Sequence, residues 1–269
     1  MMFLLFQREI SPYFEYRQPP SYQMMFRDKR QAELQRRAVY FAQSRIGSGE
    51  SLSEPLETGG FRMRSRLSMD MRPFGGLLLG DPRAFFSSEI RLDSAFQLAE
   101  FALSGKLQGI PVTASGDRQG DKLRLSYNLL ILKGELLVDF PRDATLADNF
   151  LPYQGGGRLE EGKKWKMKMI DLGNIVSLGK DRKMELTELY ARVVGRGKSG
   201  ETPAWQVEVR QSPTDESWRY LLWVDDQGTV LEQHMKVNRL VCRIVLEERK
   251  LLSPDELKAF TWKVDPPPP

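Results

Sequence analysis

The chain is poor in the residues that build reactive centres. Its 269 residues include one cysteine, Cys242, and one histidine, His234. A single cysteine excludes a disulfide within the chain, and without a Cys/His cluster no transition-metal site is expected. Cys242 sits inside an apolar strand pattern and reads as a small buried hydrophobe. His234 lies on a strand between Gln233 and Met235 and reads as a polar-face residue. The nucleophile motif G-x-S-x-G and the phosphate loop GxxxxGK[ST] are both missing. A Ser–His–Asp triad has only His234 to draw on, and nothing marks its partners. Asp225 and Asp226 are adjacent acids, but a hairpin tip Asp-Asp-Gln-Gly explains them. The expectation is a protein that is not an enzyme and uses no cofactor.

Long apolar runs are scarce as well. Met1–Phe6 is far shorter than the roughly 20 residues that span a bilayer. It lacks the leading positive charges and the small-residue cleavage site of a signal peptide. Two readings stay open: an N-terminus packed on the domain, or the end of a membrane segment whose start is missing. Tyr13, Phe14 and Tyr16, with Arg8 and Arg17, suit an interfacial belt.

Charge of one sign does not dominate. The formal net charge is +4, and residues 1–72 hold 12 Lys/Arg against 8 Asp/Glu. This excess fits contact with anionic headgroups or plain solubility, and is too small to point to nucleic acid. At 41% hydrophobic and 28% charged residues, the chain has enough apolar side chains for a core.

What the chain does have is alternation with a period of two. Trp205, Val207 and Val209 alternate with Gln206, Glu208 and Arg210. Leu240, Cys242, Ile244 and Leu246 alternate with Val241, Arg243 and Val245. Such a period places successive side chains on opposite faces of a sheet. Turn residues at Ser212-Pro213-Thr214-Asp215 and Asp225-Asp226-Gln227-Gly228 join these runs into an antiparallel meander over 204–249. Further strands are expected at 38–56, bent at Gly47/Gly49, and at 61–71. Others are expected at 84–92, 96–107, 110–115, 121–132, 163–170 and 183–196. In the second of these, Phe61, Met63, Leu67 and Met69 face in, and Arg62, Arg64 and Arg66 form a solvated outer row. Residues 134–163 read as a loop, with a short helix, crossing one face of the sheet. Gly155-Gly156-Gly157 is a flexible joint. Ser21 starts a helix through about Arg37. Ser253, Pro254 and Glu256 form an N-cap, a Pro at N1 and a capping box for a second helix to about Phe260. Pro266–Pro269 is an extended tail.

The resulting division is 1–37, a basic N-terminal segment with a helix; 38–252, the β domain; and 253–269, a helix with a proline-rich tail. The fold class is mainly β: a strongly curved antiparallel sheet, an incomplete barrel, with a few peripheral helices. The face left apolar by the alternation carries Met63, Met69, Trp165, Met167, Met169, Trp223 and Met235. Each methionine alone is explained as core filler. Together they are the residues expected to line an apolar cavity.

Several motifs carry a resemblance. LPYQGGGRLEEGK at 151–163 precedes a Trp/Met strand. ELYARVVGR follows, then the hairpin WVDDQGTVLE at 223–232. In the first half, SRIGSGESL and a Gly-Gly turn precede FRMRSRLSMD. Over roughly residues 38–248 this resembles bacterial envelope proteins of unknown function related to the periplasmic lipoprotein-carrier (LolA/LolB-like) fold. The resemblance implies a curved sheet covered by helices over an apolar cavity. It implies a location in the bacterial envelope, on the periplasmic side or anchored to a membrane. The chain departs from that group in having no recognisable signal peptide. The function expected is binding or carrying a lipid-like ligand. The alternative is a scaffold domain that docks a protein partner. A membrane surface met through the N-terminal segment is the third expected partner, and nucleic acid is not expected.

Overall fold

The computed structural model describes residues 13, 16, 22, 26, 29–74, 82–107, 109–129, 132–142, 144–146, 158–170, 186–237 and 240–260. Among them runs one sheet of fifteen strands. In chain order these are β1 (Ala32–Phe41), β2 (Ser44–Pro55), β3 (Phe61–Asp70), β4 (Arg83–Leu92) and β5 (Leu98–Leu107). Next come β6 (Ile110–Gln119), β7 (Lys122–Leu129), β8 (Leu132–Asp139), β9 (Ala144–Leu146) and β10 (Lys164–Ile170). The last five are β11 (Thr187–Ser199), β12 (Thr202–Arg210), β13 (Tyr220–Val224), β14 (Val230–Val237) and β15 (Leu240–Leu252). A single capped helix, α1 (Pro254–Ala259), follows β15. Among the described residues no helix is long and apolar enough to cross a membrane.

The spatial order is β8-β7-β6-β5-β4-β3-β2-β1-β15-β14-β13-β12-β11-β10-β9. β1 is therefore central, and the chain builds one half outward from it and the other half back towards it. Every pairing is antiparallel except β9 with β10. The two edges, β8 and β9, are neighbours in sequence: Asp139 ends one and Ala144 begins the other. Laid flat, fifteen strands about 4.8 Å apart would be roughly 65 Å wide. The five peptide steps between Asp139 and Ala144 reach at most roughly 18 Å. The sheet must therefore curl until its edges approach. It is strongly curved and it is not closed.

Five register shifts help the sheet coil, among them Arg36/Arg37 against β15 and Trp223/Val224 against β14. Glycines placed opposite aromatics do the same on the concave face. Phe101 pairs with Gly116 and Phe86 with Gly105. A Cβ on Gly116 would lie 2.5 Å from Phe101 Cε1, and one on Gly105 would lie 2.8 Å from Phe86 Cδ1. Each ring lies over a bare backbone, which lets adjacent strands coil tightly.

The concave face holds three apolar clusters. The first unites Phe61, Ile90, Leu92, Phe101, Leu123 and Leu125 from β3–β7 with Val138, Phe140, Ala144, Leu146 and Ile170. It thus joins both edges of the sheet. The second unites Trp165, Met167 and Met169 of β10 with Leu189, Val207, Tyr220 and Leu222 of β11–β13. The third, Val39, Leu67, Cys242 and Ile244, lies between them. On the convex face α1 covers Ala32, Leu34, Leu52 and Leu252 with Leu257, and Phe260 joins them.

Strand boundaries differ from the sequence reading at several places: β6 runs on to Gln119, β11 ends at Ser199, and β9 lies inside the expected loop 134–163. The strand expected from residue 38 starts at Ala32, so the helix read through Arg37 stops short of it. Here the usual polarity is inverted: Ala32 and Leu34 face outward under α1, while Glu33, Gln35 and Arg37 face inward. The run 38–56 is two strands, not one bent strand, because Ala42 and Gln43 turn with φ of 53° and 119°. Residues 132–139 form strand β8 rather than a loop. Gly134, Leu136 and Val138 face in there, but contiguous Leu136-Leu137-Val138 hides the alternation. The triple glycine at 155–157, the break at 238–239 and the tail at 266–269 lie outside the described residues.

The glycine–aromatic pairs yield a test. Gly116→Val forces a branched side chain into the Phe101 ring, and overpacking of this kind costs about 1–3 kcal/mol. A thermal melt of the variant is expected to show a lower midpoint with an unchanged far-UV spectrum in the cold.

Candidate functional site

The candidate site is the interior of the curled sheet, and the register defines what it presents. Pairing carries one row across the centre of the concave face: Arg249, Gln35, Ser51, Ser65 and Ser88. Ser65 and Ser88 share a hydrogen bond of 2.7 Å. On β3 this row lies between Phe61 and Met63, of the first cluster, and Leu67 and Met69, of the third.

The row ends in a charged group at the start of β1. Glu33 is only 3% exposed. Its carboxylate accepts from Lys29 Nζ at 3.1 Å, from Arg249 Nε at 3.0 Å and from the Gln35 amide. Gln35 in turn accepts from Arg37, and Arg37 donates to the Val230 carbonyl at 3.0 Å. Burial pushes the Glu33 carboxyl up, but Lys29, Gln35 and Arg249 overcome this and hold it below the ordinary value. Burial lowers the Lys29 pKa more strongly than Glu33 raises it. A buried charge that is paired and hydrogen-bonded fixes the strands that supply its partners.

The seven residues expected to line a cavity are not placed alike. Trp165, Met167 and Met169 are buried together in the second cluster. Met235 is partly buried and bridges the second and third clusters. Met63 packs against the first cluster and Met69 against the third. These six face the interior. Trp223 does not. On β13 the inward residues are Tyr220, Leu222 and Val224, which puts Trp223 on the convex face. There its ring centroid is 4.5 Å from that of His234, whose Nε2 lies 2.8 Å from Glu232 Oε1. The hairpin register decides this, since Trp223 pairs with Glu232 and Val224, one residue on, with Val230.

One interior group stands out. Among the described residues, Trp165 Nε1 is buried with no hydrogen-bond partner. The Trp165 ring lies beside Ala191 across the β10–β11 pair, among apolar neighbours. A buried N–H without an acceptor is costly, and native proteins carry few of them. The sequence marked Trp165 by its alternation but held no sign of the empty donor. It also gave no sign of the polar row, because Glu33, Gln35 and Arg37 resemble a solvated helix face.

The outer arginine row is engaged by two nearly buried carboxylates. Arg62 and Arg64 bind Glu54 at 2.6 and 3.0 Å, and Arg66 binds Glu50 at 2.6 Å. Burial pushes the Cys242 thiol up to about 11, so it stays protonated at neutral pH.

No family model matches the sequence, and no curated protein matches it. Among solved structures, one similar in shape is a β-barrel-like protein of a domain of unknown function, DUF1849, from Brucella abortus. Its TM-score is 0.47 at 11% identity, over 82% of this chain and 98% of that one. A provisionally assigned lipoprotein from Parabacteroides distasonis gives 0.27 at 11% identity, over 82% and 96%. A domain provisionally assigned as an outer membrane lipoprotein-sorting protein, from Vibrio parahaemolyticus, gives 0.21 at 9%, over 89% and 96%. None of these scores reaches 0.5, so the likeness carries no functional argument for this chain.

The charged group sets a pH dependence. The Glu33 pKa is lower in the folded than in the unfolded chain. Its contribution to stability is therefore full above the ordinary carboxylate range and is lost as pH falls through the folded value. Denaturant titrations from pH 7 down to pH 3 are expected to show a steep acid loss, and Glu33→Gln is expected to flatten it while lowering stability at pH 7.

Proposed function

We propose that this protein binds a lipid-like ligand inside the curved sheet and carries or presents it without catalysis, in the bacterial envelope. The observation that carries this reading is Trp165: a buried indole N–H with no acceptor, set among Met167, Met169, Leu189 and Tyr220. A ligand with an apolar chain and an oxygen at one end matches such a surface, because the chain meets thioether and aliphatic groups while the oxygen accepts from Nε1. An unclosed sheet supports the reading further, because its interior is bounded on one side by side chains and not by a hydrogen-bonded ladder. A second reading is a docking scaffold. It is favoured by the edge strand β8, whose Leu137 is 57% exposed and whose outer edge pairs with no strand among the described residues.

Native mass spectrometry of the full chain, purified gently from cells, tests the first reading. A discrete added mass that organic extraction identifies as lipid supports it. A bare protein mass, with no uptake of fatty acids or phospholipids, overturns it. Trp165→Phe keeps the ring and removes the donor, and is expected to weaken uptake about tenfold with little change in the melting midpoint. Met167→Glu with Met169→Glu is expected to abolish uptake; undiminished uptake in a folded double variant counts against the interior as the binding place.

A further inference from the structure

The edge strand β9 is buried where a sheet edge is ordinarily wet. Ala144, Thr145 and Leu146 are all buried, and β9 pairs with β10 alone. An edge strand keeps a row of backbone groups that no ladder satisfies. In water such groups are hydrated, but inside an apolar cluster each needs a partner of its own. The Leu146 N–H has one: it donates to the Tyr22 hydroxyl at 2.9 Å. Its acceptor is therefore a side chain from a separate segment, not a neighbouring strand.

That segment reaches the interior from outside. The rings of Tyr13 and Tyr16 meet Tyr190 edge-on at 5.6 and 5.1 Å. Tyr190 lies on the convex face, because its neighbours Leu189 and Ala191 face in. Tyr22 and Phe26 lie on the concave side, 3% and 4% exposed, and Phe26 stacks on Phe61 at 4.5 Å. The chain thus changes face between Tyr16 and Tyr22. Six peptide steps reach at most roughly 22 Å, and a chain cannot pass through a hydrogen-bonded ladder. The crossing rounds the boundary of the sheet, and the bond to Leu146 places it beside β9. On the inner side the Lys29 N–H donates to the Phe26 carbonyl at 3.0 Å, and Lys29 Nζ binds Glu33, which ties this end to β1.

Tyr22 has the chemistry argued above for a ligand: an apolar body with an oxygen that accepts from a buried N–H. Two such donors stand on adjacent strands. The Leu146 N–H on β9 has its acceptor, and Trp165 Nε1 on β10 has none. The surroundings of Leu146 are apolar, since Val138, Phe140, Ala144 and Ile170 share its cluster.

We propose that the Leu146 N–H is a second oxygen subsite of the interior, and that Tyr22 occupies it until the hydroxyl or carbonyl oxygen of a lipid-like ligand takes its place. The exchange opens no ladder, because this N–H belongs to none among the described strands. It replaces one hydrogen bond with another and one apolar body with another. The inference rests on the interior-binding reading and narrows its ligand class to long-chain alcohols, acids and esters, as against bare hydrocarbons.

Titration of the full chain with decanol and with decane, followed by native mass spectrometry and thermal melts, tests it. Tyr22→Phe keeps the ring and leaves the Leu146 N–H unmet. Its melting midpoint is expected to fall, and decanol is expected to bind it about tenfold more tightly than it binds the wild type, with no such gain for decane. The gain is expected to persist in the double variant Tyr22→Phe, Trp165→Phe, because the two donors are separate. In the wild type, saturating decanol is expected to speed hydrogen exchange in the peptide that holds Tyr22 and Phe26. The inference is overturned if Tyr22→Phe loses stability with no gain for decanol over decane, which is the result a purely structural tyrosine gives. It is overturned as well if the gain vanishes in the double variant, or if exchange near Tyr22 is unchanged by bound decanol. In each of these cases, wild-type uptake that Trp165→Phe weakens leaves the interior reading standing. Absence of uptake by the wild type and by both variants overturns the two together.

Discussion

The four residues that separate β8 from β9 constrain everything else. They tie the two edges of a fifteen-strand sheet to each other, and no flat arrangement satisfies so short a tie. Curvature is thus imposed by connectivity, and the sequence then makes it affordable. Glycines 105 and 116 accept aromatic rings from the neighbouring strand, and bulges absorb the coil. The first apolar cluster gathers Val138 and Phe140 from one edge with Ala144, Leu146 and Ile170 from the other, so burial closes what the ladder leaves open. Tyr22 adds to this by accepting a hydrogen bond from the Leu146 amide on the edge strand at 2.9 Å.

Curling gives the concave face its importance. A flat sheet of this composition would need a second layer to cover its apolar side. Here the sheet covers itself in large part, with α1 on the convex face and the side chains of Tyr22 and Phe26 in the first cluster. The polar row through Gln35, Ser51 and Ser65 crosses the interior, and on β3 it parts the first cluster from the third. The orphan donor of Trp165 belongs to the half with the methionines, not to the half with the phenylalanines. Softer, more adaptable side chains thus surround this unmet donor.

Much of this was legible in the sequence wherever a strand separates apolar from polar faces. The meander β12–β15 and strand β10 show their period directly, and Ser253-Pro254-Asp255-Glu256 announces α1, whose capping box is complete. Reading failed where the physical sides exchange roles. On β1 the charged residues face inward, and their pairing depends on Arg249, more than two hundred residues away, which no local pattern conveys. On β8 the outward Leu137, between Glu135 and Asp139, sits next to the inward Leu136 and Val138 and hides the alternation. Trp223 has the chemistry of an interior residue, but the register of the β13–β14 hairpin, shifted after it, sets its face. For the site, residue type predicted the inward group of Trp165, Met167 and Met169. Whether a buried donor finds an acceptor is a property of three-dimensional neighbours and is written in no spacing.

The open seam between β8 and β9 has a mechanical meaning. A closed barrel has a girth fixed by its strand number and stagger, and changing it means breaking a ladder. Among the described residues no ladder joins β8 to β9, and side chains from both edges meet in the first apolar cluster. Parting these edges would cost apolar contacts and no ladder hydrogen bond between described strands. The molecule resembles a cuff held by an apolar clasp more than a cup.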